Sequence, residues 1–153
     1  MFTTGIYSGL RVSDILKLRV KDVRGKDYIA MREKKTKKEK RFIINKNLKK
    51  ILEAWTRGKD DLQYLLENPV THRPISRQRA WEVMRNAGEE FGVYNLGTHT
   101  MRKTFGYHMY QATHDAVMLM KLFNHSDIHV TLRYIGVEQD ETDQAISKLD
   151  FGV

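Results

Sequence analysis

"GTHTMRKTFGYH", residues 97–108, puts His99 and Arg102 one helical turn apart, directly after a Gly-Thr break. Arg102 is a permanently charged planar fork, and His99 is the side chain whose charge switches most easily near neutrality. At i, i+3 the two share one face of the helix that the sequence predicts over about 99–112. Such a pair can hold a phosphate, and it equally suits an ordinary polar helix start. The flanking sequence has to separate these readings.

On the C-terminal side the pattern predicts helices over 115–123 and 127–135, with "NHSD" (124–127) between them and "LRYIG" (132–136) closing the second. Ser126 and Asp127 suit a helix cap. A last helix near 140–149 is predicted from the acidic start "DETD" and a narrow stripe of Ala145, Ile146 and Leu149. On the N-terminal side Ser76 is placed to cap a helix whose apolar face is Ala80, Val83, Met84, Ala87 and Phe91. Leu48, Ile51, Leu52 and Trp55 stripe another helix at i, i+3, i+4, i+7 spacing. "YIAMRE" (28–33) and "RFIIN" (41–45) read as two strands around the lysine-rich loop "KKTKKEK" (34–40). The chain opens on a helix tail broken at Ser8-Gly9, and a second helix restarts through "RVSDILKLRV" (11–20). The expected fold is α+β, mainly helical, with one small antiparallel hairpin sheet.

With 153 residues the chain is expected to form one domain with its own core. It has no cysteine, which excludes disulfide frameworks and thiolate metal sites and suits a reducing cytoplasm. Apolar runs such as "AVMLM" (116–120) are far too short to span a bilayer, so no membrane association is expected. Its 27 basic against 19 acidic residues, a net charge of +8, favour a polyanionic partner, nucleic acid first.

Taken singly, each further candidate has a plain structural reading. Arg11 starts a helix after a glycine break; it either binds phosphate, with Asp14 holding its guanidinium, or is simply a helix-start arginine beside a dipole-friendly carboxylate. Lys34, Lys35, Lys37, Lys38, Lys40 and Arg41 form a basic hairpin tip that blocks edge pairing, neutralises DNA backbone, or supplies a proton donor. His125 and His129 have an H-x-x-x-H spacing, but no third ligand or adjacent glutamate accompanies it, so no metal and no cofactor are expected. Tyr134 near a helix end suits a core or interface position.

Their order along the chain carries more than any one of them. Arg11 in "GLRVSD", a hairpin lysine, "HTMR", "NHSD" and "LRYIG" together resemble the catalytic domain of the tyrosine recombinase (phage integrase) family, over nearly the whole chain. The resemblance implies that Arg11, His99, Arg102 and His125 surround a scissile phosphate, that Tyr134 is the nucleophile, and that Lys35 matches the hairpin lysine, with Lys34 and Lys37 close in register. It implies a bacterial or phage-encoded, DNA-associated enzyme acting on double-stranded DNA. The full-length protein would work as a homo-tetramer on DNA, while this stretch alone would be largely monomeric. The family's separate N-terminal core-binding domain has no counterpart in residues 1–153, which are expected to form a single catalytic domain with a tail at 140–153.

The chemistry fits. Breaking a phosphodiester without metal requires fixed cations on the nonbridging oxygens, and two arginines supply them bidentately. A tyrosine phenol of pKa about 10 needs that pocket and a base, for which His99 is placed. A lysine of similar pKa can protonate the leaving 5′-oxygen. The product would be a 3′-phosphotyrosyl link that a second 5′-hydroxyl can reverse. A type IB topoisomerase shares this chemistry, and a basic DNA-binding module without catalysis is the non-enzymatic alternative.

Overall fold

The computed structural model describes residues 1–32, 39–137, 143 and 146–150. In chain order the elements are α1 (Phe2–Ser8), α2 (Val12–Ile15), a 3-10 turn (Val20–Asp22), β1 (Tyr28–Arg32), β2 (Glu39–Ile43), α3 (Lys46–Thr56), α4 (Arg77–Glu90), α5 (Thr100–Thr113), α6 (Ala116–Phe123) and α7 (Ile128–Ile135). The strands form a two-stranded antiparallel sheet, so the mainly helical α+β class is as expected. Two units divide the chain, Met1–Arg102 and Lys103–Val153, the division falling within α5.

In the first unit α1 ends where Gly9 turns left-handed at φ 65°. The helix expected through residues 11–20 is only four residues long. Backbone pairing with a later segment takes over: Val20 N–H donates to the Gln63 carbonyl at 3.0 Å and Leu65 N–H to the Leu18 carbonyl at 2.8 Å. Those cross-chain bonds replace the helical ladder beyond Ile15.

In the hairpin Ile29 faces Phe42 and Met31 faces Lys40. The period-2 alternation turns Ile29 and Met31 to one face, where Ile29 is fully buried against Leu48 and Leu52 of α3. Asn45 caps α3 by accepting from Leu48 N–H. At the hairpin's base the Lys49 ammonium lies 2.7 Å from Asp27 and holds that carboxyl below the usual carboxylate range.

Two helix faces differ from expectation. On α3, Ile51 and Trp55 are exposed; the Trp55 indole lies along the surface and donates to the Leu65 carbonyl at 2.8 Å. On α4, capped by Ser76 as expected, the buried line is Ala80, Met84 and Gly88, while Val83, Ala87 and Phe91 face outward. The absence of a side chain at position 88 decides this rotation: a Cβ there would lie 2.5 Å from the Val93 carbonyl. Ala80 and Met84 then pack with Val12, Leu16 and Met101.

The second unit is built on Leu119, Phe123, Ile135 and Val137. Gly106 of α5 lets α6 and α7 approach closely, since a Cβ there would lie 2.6 Å from Ile135 Cγ2 and 2.8 Å from Phe123 Cε2. Asn124 ends α6 in the left-handed region, Asp127 caps α7, and Gly136 ends it. Half of the predicted 140–149 helix, Ala145 included, lies outside the described residues; Ile146 and Leu149 are exposed. Among the described residues no helix is long and apolar enough to cross a membrane.

Candidate active site

In the first unit Arg11, His99 and Arg102 line one open pocket, together with Val12, Ser13, Arg77 and Thr98. Each arm is set by a core neighbour in the sequence. Val12 and Met101 are both buried in the same cluster, which aims the preceding Arg11 and the following Arg102 at the pocket. Gly5 allows Met101 to seat tightly, because a Cβ at position 5 would lie 2.7 Å from Met101 Cβ.

Arg102 is the deepest member, 6% exposed, and its guanidinium donates to the carbonyl oxygen of Gly9. That bond uses one of the five donors of the fork and ties it to the backbone. Arg11 is exposed at the N-cap of α2, in extended conformation. Its link to Asp14 runs through the backbone, where Asp14 N–H donates to the Arg11 carbonyl at 2.8 Å, rather than through a carboxylate–guanidinium pair. His99 lies in the turn before α5 and not within it. The turn is closed by reciprocal bonds of 3.0 Å, Thr100 N–H to the Gly97 carbonyl and Gly97 N–H to Thr100 Oγ1. Among the described residues, the lining contains no carboxylate. Two flanking arginines, a histidine and the buried Arg102 thus make a concave site that favours an oxyanion.

In the second unit the structure brings His125 and Tyr134 together. Their ring centroids are 5.3 Å apart at an interplanar angle of 80°, and Phe123 meets Tyr134 edge-on at 5.7 Å. His125 and Tyr134 are half-buried. Thr131 Oγ1 donates to the Asp127 carbonyl at 3.2 Å and therefore accepts at 3.0 Å from His125 Nδ1. This assigns the proton to Nδ1 and the basic lone pair of the neutral ring to Nε2. Lys103 places its ammonium 5.6 Å from the centre of the Tyr134 ring.

Lys34, Lys35, Lys37 and Lys38 lie outside the described residues. Lys40 and Arg41 are on β2, and Arg41 is occupied by Glu39 at 2.9 Å and by the face of Tyr28 at 4.7 Å. His129 is exposed, its backbone N–H held by the Asp127 cap. Among the described residues no cluster of three His, Asp or Glu side chains could hold a metal ion. Sequence reasoning missed Ser13, Arg77, Thr98 and Lys103. Ser13 and Lys103 adjoin residues it singled out, and Arg77 follows the recognised cap Ser76.

The chain belongs to the phage integrase family, whose profile matches residues 1–141. It is a tyrosine recombinase catalytic domain by sequence and fold. It is 44% identical over 142 residues to the probable integrase/recombinase YoeC of Bacillus subtilis (strain 168), covering 93% of this chain and 78% of that protein. To the tyrosine recombinase XerA of Pyrococcus horikoshii it is 28% identical over 145 residues, 92% of this chain and 50% of that one. Among solved structures it superposes on XerA recombinase with TM-score 0.72 at 18% identity, covering 97% of this chain and 55% of that one. On XerH site-specific recombinase bound to difH substrate the TM-score is 0.70 at 18% identity, with 96% and 45% covered. The chain thus spans about half the length of the Xer proteins it matches.

Proposed function

We propose that this chain cuts and rejoins double-stranded DNA at specific sites, through a covalent link between Tyr134 and a 3′-phosphate. The observation that carries this reading is the cationic pocket of Arg11, His99 and Arg102, with Arg102 buried and tied to the backbone. Arg11 and Arg102 neutralise the nonbridging oxygens as charge builds on the phosphorane. His99 takes the phenolic proton while the Tyr134 oxygen bonds to phosphorus and the 5′-oxygen leaves. A hairpin lysine, Lys35 by the family pattern, returns a proton to that oxygen. His125, when protonated, donates from Nε2 to a nonbridging oxygen of the same phosphate group. The phosphotyrosyl bond conserves the energy of the phosphodiester, and attack by another 5′-hydroxyl restores DNA and the phenol.

YoeC and the Xer relatives support recombination as the biological setting. A tetramer on DNA, a tail at 140–153 that joins neighbouring subunits, and a cytoplasmic location complete the reading. The test is a duplex nicked just beyond the cleavage point, so that the freed 5′-hydroxyl diffuses away. The protein is expected to accumulate as a denaturant-resistant DNA adduct. Binding of that duplex with no adduct would leave only a DNA-binding module.

A further inference from the structure

We propose that Arg77 is a DNA-anchoring residue: it grips the phosphate next to the one held by Arg11 and Arg102, and so fixes which phosphate of the strand enters the pocket. The proposal rests on the phosphate-binding reading of the pocket and goes beyond it by assigning a second, adjacent subsite.

Arg77 is the first residue of α4 and lines the same pocket as Arg11, His99 and Arg102. It reaches there from a third segment of the chain, which makes it independent of both motifs. Helix α4 carries three arginines, and their surroundings differ. Arg79 is paired with Glu82 at 3.2 Å, and Arg85 with Glu89 at 3.2 Å while also lying over the Trp81 ring. Among the described residues no ion pair holds Arg77, the one arginine of α4 at the pocket. An exposed guanidinium beside two others, in a lining with no described carboxylate, adds to a positive potential that attracts an anion.

A single phosphodiester carries one negative charge, which Arg11 and Arg102 together already exceed. A DNA strand, however, presents another phosphate about every 3.4 Å along the helix axis. A third cation at the rim is therefore matched by the neighbouring phosphate of the same strand. The division of labour follows from mobility. Arg102 is buried and bonded to Gly9, which suits the geometry of the reacting group, whereas Arg77 is solvent-exposed and free of helix pairing, which suits following a backbone.

The test combines Arg77→Gln and Arg77→Lys with duplexes carrying one neutral methylphosphonate at each position flanking the cleavage point. Melting temperatures confirm that both variants fold. For Arg77→Gln, DNA binding is expected to weaken by about tenfold and the slope of log K against log salt to fall by about 0.9, one phosphate contact. The loss should fall more on binding than on single-turnover cleavage at saturating DNA, and Arg77→Lys should recover most of the binding, since a point charge suffices at a phosphate. One flanking methylphosphonate should weaken wild type yet add nothing in Arg77→Gln. An unchanged salt slope, or additive effects at every position, would overturn the proposal. So would a cleavage loss at saturation with binding intact, which would make Arg77 part of the chemistry. If wild type forms no adduct on the nicked duplex, the recombinase reading fails separately, and the slope and methylphosphonate results still report on Arg77.

Discussion

The two units hold their reactive groups by opposite means. In the first, cations stand on a polar frame: Arg102 is tied to a backbone carbonyl, His99 rides on a turn closed by two hydrogen bonds, and Arg11 occupies a helix cap. In the second, Tyr134 is held by ring packing against Phe123 and His125, beneath helices that meet over a glycine. Hydrogen bonds and charges fix direction sharply, and their loss is felt in the geometry of one group. Packing fixes position through volume, and its loss is felt across the whole cluster. Charge stabilisation and nucleophile placement should therefore fail differently.

The largest expected effect is at the nucleophile itself. Tyr134→Phe keeps the ring, and so the packing, while deleting the oxygen; covalent DNA capture should vanish with melting temperature and binding nearly unchanged. A persistent adduct in gel assays would remove Tyr134 from its role. Next comes Arg11→Lys, which keeps the charge but not the planar fork. Cleavage should fall about a hundredfold or more, equivalent to roughly 3–4 kcal/mol of lost oxyanion stabilisation. Wild-type rates in a single-turnover assay would show that position 11 needs only a charge.

Gly106→Ala probes the other kind of support. The added methyl meets buried Phe123 and Ile135, and such overpacking costs typically about 1–3 kcal/mol. A lower melting temperature is expected, with cleavage reduced and DNA binding kept below the transition. Unaltered stability would mean that the approach of α5 to its neighbours is looser than the contacts imply. The smallest effect belongs to Lys103→Met. A cation over an aromatic face at an exposed site contributes about 0.5–1 kcal/mol, so adduct formation should slow by only about two- to fivefold. A loss as large as that of Arg11→Lys would erase the contrast, because the tyrosine would then depend on charge as the phosphate does.

Much of the second unit was legible from sequence because its boundaries are local. Asp127 and Gly136 are strong punctuation, and the predicted 127–135 helix appears as Ile128–Ile135. The hairpin and the Ser76 cap were legible for the same reason. The shortness of α2 was not, since it depends on partners some forty-five residues away, between Leu18 or Val20 and residues 63–65. Nor were the outward turns of Val83 and Phe91, because the helix periodicity allows several faces and Gly88 selects one only through its contact with Val93. In the candidate site the motif residues were visible by type and order. Arg77 was not, because an exposed arginine carries no pattern until the fold sets it beside Arg11 and Arg102.

The contact between Arg102 and Gly9 has a consequence for heredity. Every codon that can be written at position 9 encodes the same acceptor oxygen, since the partner of Arg102 is the main chain itself. Point mutation can remove the guanidinium but cannot delete what it grips. It can only bend the path that presents it, and the left-handed turn at Gly9, φ 65°, is the place where a β-branched residue would do so. Half of this anchor is thus invisible to an alanine scan, and is inherited through the course of the backbone rather than through the identity of a side chain.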